Sequence, residues 1–146
     1  MPSRKKARMK YMILLCGSQQ DYDAMSGRAA DKSAWSAEDF AAMGAFMQTW
    51  NNDLVASGEF VDARGLAEPV HTRRVQLRNG VPVVTDGPYA ETQEVLAGYT
   101  IVECDSFDRA TEIAARLSTC PPGPSGAEGQ YVDVRPILEG RDDLEA

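Results

Sequence analysis

Two stretches of helical periodicity, each opened by a serine and each set between strand-like segments, constrain this chain more than any other feature. In the first, Phe40, Met43, Met47, Trp50 and Leu54 recur at steps of three and four, which places them along one face of an α-helix. Ser36 stands where an N-cap belongs, with Asp39 three residues on, and Gly58 stands where the helix must stop. In the second, Phe107, Ala110, Ile113, Ala114 and Leu117 form the stripe, Ser106 caps it, and the helix runs to about Ser118. A helix with one apolar face must bury it against another layer.

The segments around these helices supply that layer. Lys10 to Cys16 (KYMILLC) is a short apolar run ended by Gly17, which suggests a central strand. Glu59 to Leu66 reads as a second strand, Val95 to Cys104 as another, and Tyr131 to Leu138 as the last. Val75 to Leu77 and Val81 to Val84 flank Arg78-Asn79-Gly80, and Asn-Gly between β-formers signals a two-residue hairpin. Pro82 cannot donate to a ladder, so that arm lies at an edge or bulge. Ser18 to Trp35 reads as a polar loop of unusual length, the kind that forms lids or mobile segments. Thr85 to Ala97 reads as a turn at Asp86-Gly87-Pro88 followed by at most one helical turn, and Cys120 to Gly129 as a loop.

Without the hairpin the order is βαββαβ. Crossover handedness then places both helices on one face of an antiparallel sheet, a ferredoxin-like α+β fold with an added β-hairpin. The other sheet face is left bare, and a second copy is its simplest cover. The expectation is a homodimer with sheets packed face to face.

Charge narrows the function. The 146 residues carry a formal net charge of -7, and the first eight hold four of the 15 Lys and Arg. The rest therefore sets 11 basic residues against 22 acidic ones, a body that repels phosphate backbones and argues against direct nucleic-acid binding. Residues 1–8 read as a disordered basic extension, with Met9 as an alternative start; only the short run Tyr11–Gly17 follows, too little for a signal peptide. Residues 9–140 read as one domain and 141–146 as a frayed acidic tail. No apolar stretch approaches the ~18 residues of a membrane helix. Cys16, Cys104 and Cys120 form no CxxC, which fits small apolar side chains in a reducing cytoplasm.

Residues 85–99 (TDGPYAETQEVLAGY) resemble the DGPF motif of the YCII-related proteins, usually DGPFAETKE followed by a Leu-Gly-Gly turn. Lys10-Tyr11-Met12, the hairpin around Arg78-Asn79-Gly80 and Val132-Asp133-Val134-Arg135-Pro136 resemble further parts of that family in the same order, over roughly residues 9 to 138. Tyr89 stands for Phe, Gln93 for Lys and Ala97 for Gly, and Gln93 removes a positive charge. The resemblance implies the dimeric α+β barrel. It also implies a superfamily that includes lactone isomerases, haem-degrading enzymes, dehalogenases and monooxygenases, and a family often linked to extracytoplasmic sigma-factor systems.

Asp86, held between a turn-forming Gly87 and Pro88, is the candidate acid or base, and capping of the turn is its alternative role. Glu91 and Glu94, with Thr92 between them, form a carboxylate pair if the segment is helical, and are otherwise solvated charge. Tyr89 lines a pocket or packs. His71, the lone histidine, is a weaker catalytic candidate or an exposed side chain, and one imidazole excludes a metal site that needs two or three. Arg73, Arg74 and Arg135 are candidate anchors for a ligand carboxylate. No phosphate loop, nucleophile elbow or dinucleotide fingerprint occurs, so no cofactor or metal is expected. Two functions compete: acid–base catalysis, isomerase- or lyase-like, on a small organic acid, and a non-catalytic ligand-sensing or protein-interaction module tied to transcription regulation.

Overall fold

The computed structural model describes residues 8–28, 34–126 and 129–140. Its elements are β1 (Met9–Gly17), α1 (Gln19–Ser26), α2 (Ala37–Ser57), β2 (Phe60–Gly65), β3 (Arg73–Arg78), β4 (Val81–Asp86), β5 (Val95–Cys104), α3 (Phe107–Leu117) and β6 (Asp133–Pro136). Four strands form one sheet in the order β2-β5-β1-β6, with every neighbouring pair antiparallel. This is the expected ferredoxin-like α+β arrangement. β3 and β4 stand apart as a two-stranded sheet.

Alternation along the two central strands decides which face is core. Tyr11 and Ile13 of β1 and Val102 and Cys104 of β5 are buried, and they pack with Trp50 and Leu54 of α2 and Ala110, Ile113, Ala114 and Leu117 of α3. Both long helices therefore cover the same face. Trp50 adds a polar tie, donating its indole N–H to the Ile113 carbonyl at 3.1 Å. Met12, Leu14, Tyr99 and Ile101 point the other way and are only partly buried, with Met12 opposite Ile101 and Leu14 opposite Tyr99. Where β2 meets β5 the backbones come so close that a Cβ on Gly98 would lie 2.9 Å from the Arg64 carbonyl oxygen.

The caps fall where the serines put them. Ser36 and Asp39 form a complete capping box at α2, Gly58 ends that helix in the left-handed region, and Ser106 accepts from the Arg109 N–H at α3. Asn79 and Gly80 both take positive φ, 52° and 78°, as the two-residue hairpin requires.

Four expectations need correction. Ser18–Trp35 is not simply a loop: Ser18 and Asp21 form a second capping box and Gln19–Ser26 is helical, while residues 29–33 lie outside the described ones. Phe40 and Phe107 are exposed rather than core, because each sits in the first turn of its helix; Phe107 packs edge-on against Tyr11, and Phe40 packs tilted against Trp35. The last strand is only four residues long; residues 87–94, expected to hold at most one helical turn, form turns alone, within that expectation. Arg8, placed in the basic extension, pairs with Asp105 at 3.3 Å; the rest of that extension and the 141–146 tail lie outside the described residues.

A buried ion pair locks α3 to the start of β2. The Glu59 side chain is 6% exposed and takes two hydrogen bonds from Arg109, at 2.8 and 2.9 Å, plus one from Ser57. The Arg109 hydrogen bonds hold the Glu59 carboxyl below the usual carboxylate range, against burial, which pushes it up. A depressed folded pKa contributes stability above the unfolded value and loses it as pH falls through the folded one. Arg109→Ala strands the carboxylate and should cost about 3 kcal/mol in denaturant unfolding at pH 7. The difference from wild type should begin to shrink as pH falls below about 4.5, the ordinary glutamate value, and vanish only once pH passes the lowered value of the folded protein.

Candidate functional site

The helix that the sequence disguised as a loop organises the chemistry-bearing corner of the molecule. From α1, the Gln19 Oε1 accepts from the Val70 N–H at 2.9 Å, and its Nε2 donates to Glu68 at 3.1 Å and to Asp23 at 2.9 Å. The Gln20 N–H donates to the Glu91 carbonyl at 2.8 Å, and the Tyr22 hydroxyl donates to the Leu66 carbonyl at 3.2 Å. Arg28, just past the helix, pairs with both Asp23 and Glu68. One short helix thus pins two irregular segments, 66–71 and 87–94, over the end of β1 and β5.

Between the first of those segments and the start of β5 lies a cleft of about 230 Å³, with Leu66, Pro69 and Leu96 as apolar wall and Glu68, His71 and Thr72 as polar groups. A 3₁₀ turn over Pro69–His71 carries the imidazole at the cleft's open side, where the side chain is 67% exposed, as the alternative reading of His71 had it. His71 Nε2 lies 3.9 Å from Glu68 Oε2. The Glu68 side chain is 23% exposed, with Gln19 and Arg28 as further partners, so its carboxylate has a fixed position. The Thr72 carbonyl accepts from the Gly87 N–H at 3.0 Å, which closes the base of the hairpin beside the cleft.

Five of the residues singled out from sequence lie at or next to that base. Arg73 and Asp86 face each other across β3 and β4, with Nε to Oδ1 at 3.5 Å. The Asp86 side chain is 84% exposed, so the carboxylate stands in solvent and not beside an apolar cavity. Tyr89 carries the Arg74 guanidinium over its ring at 5.0 Å, a cation–π contact. His71 is two residues upstream of Arg73.

The remaining three lie elsewhere. Glu91 has an exposed side chain and contributes only its carbonyl to α1. Glu94 does not pair with it on a helix; its carboxylate accepts from the Tyr131 hydroxyl, and that bond pushes the phenol up to about 12. Arg135 is exposed on β6 opposite Met12, on the helix-free sheet face. Burial pushes all three cysteine thiols up, which keeps them protonated and fits apolar packing better than nucleophilic work.

Gln19, Glu68 and Tyr131 are participants that the sequence reading missed. Ser18-x-x-Asp21 followed by Gly27 was the signal for α1, and hence for Gln19. Glu68 takes its fixed position from Gln19 and Arg28, 49 and 40 residues away, and Tyr131 bonds to Glu94, 37 residues away, so no local pattern marks either. Among the described residues, no group of three or more His, Cys, Asp or Glu is placed to hold a metal ion. No helix among them is long and apolar enough to cross a membrane.

A family model, the YCII-related domain, matches residues 9–135. An uncharacterized protein, R00369 of Rhizobium meliloti (strain 1021), is 30% identical over 105 residues, which is 72% of this chain and 81% of that protein.

Gln19→Ala removes the acceptor of the Val70 N–H and one donor to Glu68, and leaves the helix a good former at that position. The Val70 amide should exchange with solvent about tenfold faster, the equivalent of one net hydrogen bond. Amides of the core strand segment Ile13 to Leu15 should keep their protection.

Proposed function

The chain belongs to the YCII-related domain family, and from that premise we propose that it binds a small organic acid in the cleft beside the Pro69–His71 turn. In this reading His71 is the group that exchanges a proton with the ligand. The observation that carries it is the His71–Glu68 pair at 3.9 Å, set against an apolar wall of Leu66, Pro69 and Leu96. An imidazole beside a fixed carboxylate, within charge-pairing range of it, is a group that can pass a proton to or from a bound acid. The cleft, at about 230 Å³, falls below the ~300–1,000 Å³ of drug-sized sites, so the ligand is small. Its carbon skeleton lies on the apolar wall and its carboxylate approaches His71 and Thr72. Arg73, held by Asp86 at the hairpin base, adds positive charge next to the entrance. Asp86 serves in this reading as the partner of Arg73 and not as the acid or base.

The reading includes a second copy, placed in the cytoplasm with the first. Met12, Leu14, Tyr99 and Ile101 form an apolar stripe on a sheet face that neither α2 nor α3 covers, and in this reading a matching face closes over it.

A non-catalytic, ligand-sensing or protein-docking role has one observation in its favour. The best-anchored carboxylate from sequence, Asp86, stands in solvent paired with Arg73 and lines no cavity. Such a module, tied to transcription regulation, would use the same cleft without turnover.

Thermal melting with a panel of small carboxylic acids tests the cleft. A binder at 100 times its dissociation constant adds about 2.7 kcal/mol, several degrees of melting temperature. His71→Asn and Glu68→Gln should abolish the shift. If the protein turns the ligand over, His71→Asn should slow turnover by about 10²–10⁴. A shift that survives in His71→Asn places the ligand elsewhere and sinks the proposal. Binding lost in His71→Asn with no turnover by wild type assigns the sensing role.

A further inference from the structure

Resting on the reading that the cleft takes a small organic acid, we propose that Arg74 anchors a second carboxylate of that ligand, so that the class bound is the dicarboxylic acids. Arg74 differs from every other arginine among the described residues. Arg8, Arg28, Arg64, Arg73, Arg109 and Arg116 each pair with a carboxylate, and all are exposed. Arg78 and Arg135 have no such partner among these residues, but they too are exposed. Arg74 is half-buried, pairs with no carboxylate among the described residues, and lies over the Tyr89 ring, 5.0 Å from its centroid. Taking a guanidinium out of water without an opposite charge is unfavourable, and the face of one ring offsets only part of this. An anion beside it completes the pairing. The planar fork suits a carboxylate, which accepts from it in a bidentate pair. One cation balances one negative charge. A phosphate ester carries close to two and would call on a second cation, yet the neighbouring Arg73 already pairs with Asp86 at 3.5 Å.

Backbone alternation puts Arg74 on the cleft side of β3. Thr72 lines the cleft, has extended backbone with φ -78° and ψ 142°, and leads directly into the strand. Thr72 and Arg74 are half-buried, whereas Arg73 and Val75 are exposed. Thr72 and Arg74 therefore share one face, their Cα atoms ~6.6 Å apart at ~3.3 Å rise, and Arg73 takes the other. Tyr89 reaches the same place from the turn after Gly87, whose N–H donates to the Thr72 carbonyl at 3.0 Å. A ligand whose first carboxylate meets His71 and Thr72 needs only a short carbon chain to bring a second one to Arg74.

Thermal melting of the full chain with matched pairs of acids tests the anchor: butanoate against butanedioate, and pentanoate against pentanedioate. From the concentration dependence of the shift, each diacid should bind at least about tenfold more tightly than the monoacid of its length, the scale of a hydrogen bond to a charged group. Arg74→Gln should bring the diacids down to the affinity of the monoacids and leave the monoacids unchanged. Arg74→Lys, which keeps the charge without the fork, should keep part of the preference. The ligand-free melting curve reports whether each variant folds, and the reduced preference of Arg74→Lys is the test if Arg74→Gln does not. His71→Asn should abolish the shift with both kinds of acid. Monoacids that bind through His71 with no gain for the diacids, or a gain that survives in the Arg74 variants, overturn the anchor and keep the cleft. A diacid preference lost in Arg74→Gln, with a shift retained in His71→Asn, keeps the anchor and overturns the reading of the cleft. No shift with any of the acids overturns both.

Discussion

Everything in the fold is referred to the pairing of β1 with β5. These are the two longest strands, antiparallel from Met9 opposite Cys104 to Gly17 opposite Val95. Their alternation sorts the side chains of the whole sheet. Ile13 and Thr100 face the helices as a pair, as do Tyr11 and Val102, while Met12 with Ile101 and Leu14 with Tyr99 face away. A slip of one residue would exchange the faces and leave α2 and α3 with no core to cover. The one irregularity in the ladder, between Leu15 and Cys16, lies at the end where the chain leaves for α1. A bulge adds twist and redirects the strand. Here it precedes the short helix that holds the cleft segments in place.

Much of this arrangement was legible in the residues because it rests on short-range rules. Ser36, Asp39 and Gly58 bound α2, Ser106 opens α3, and Asn79-Gly80 makes the hairpin turn, each through chemistry confined to a few neighbours. The two helical stripes and the strand order then lead to one sheet with both long helices on one side. What failed to show was of two kinds. Helix α1 is short and polar, with Ala24 its only buried side chain, so hydrophobic periodicity carried no signal even though both its caps are intact. Phe40 and Phe107 match the stripe in phase, but phase does not say where along a helix the core ends.

The candidate site was legible in position more than in role. His71, Arg73, Asp86 and Tyr89 do gather at the hairpin base, because the two-residue turn brings residues 73 and 86 face to face. Their surroundings depend on partners distant in sequence. Glu68 is fixed by Gln19 and Arg28, and Glu94 is taken by Tyr131. Asp86 shows the difference clearly. A Gly-Pro exit does fix the backbone, but it does not decide what the side chain meets; the carboxylate stands in solvent beside Arg73 and away from the cleft.

The molecule separates two demands that usually compete. Stability resides on the helix-covered face, where Trp50, Ile13, Val102 and Cys104 are almost fully enclosed and Arg109 ties Glu59 down. Polar chemistry sits at one end of the sheet, on turns that a surface helix braces through hydrogen bonds and with little burial. That end can therefore change its side chains at small cost to the core, since Gln19, Glu68 and His71 bury no apolar surface there. The helix-free face and the ribbon meet neither demand. They carry partly or fully exposed apolar side chains that contribute little to the stability of one chain.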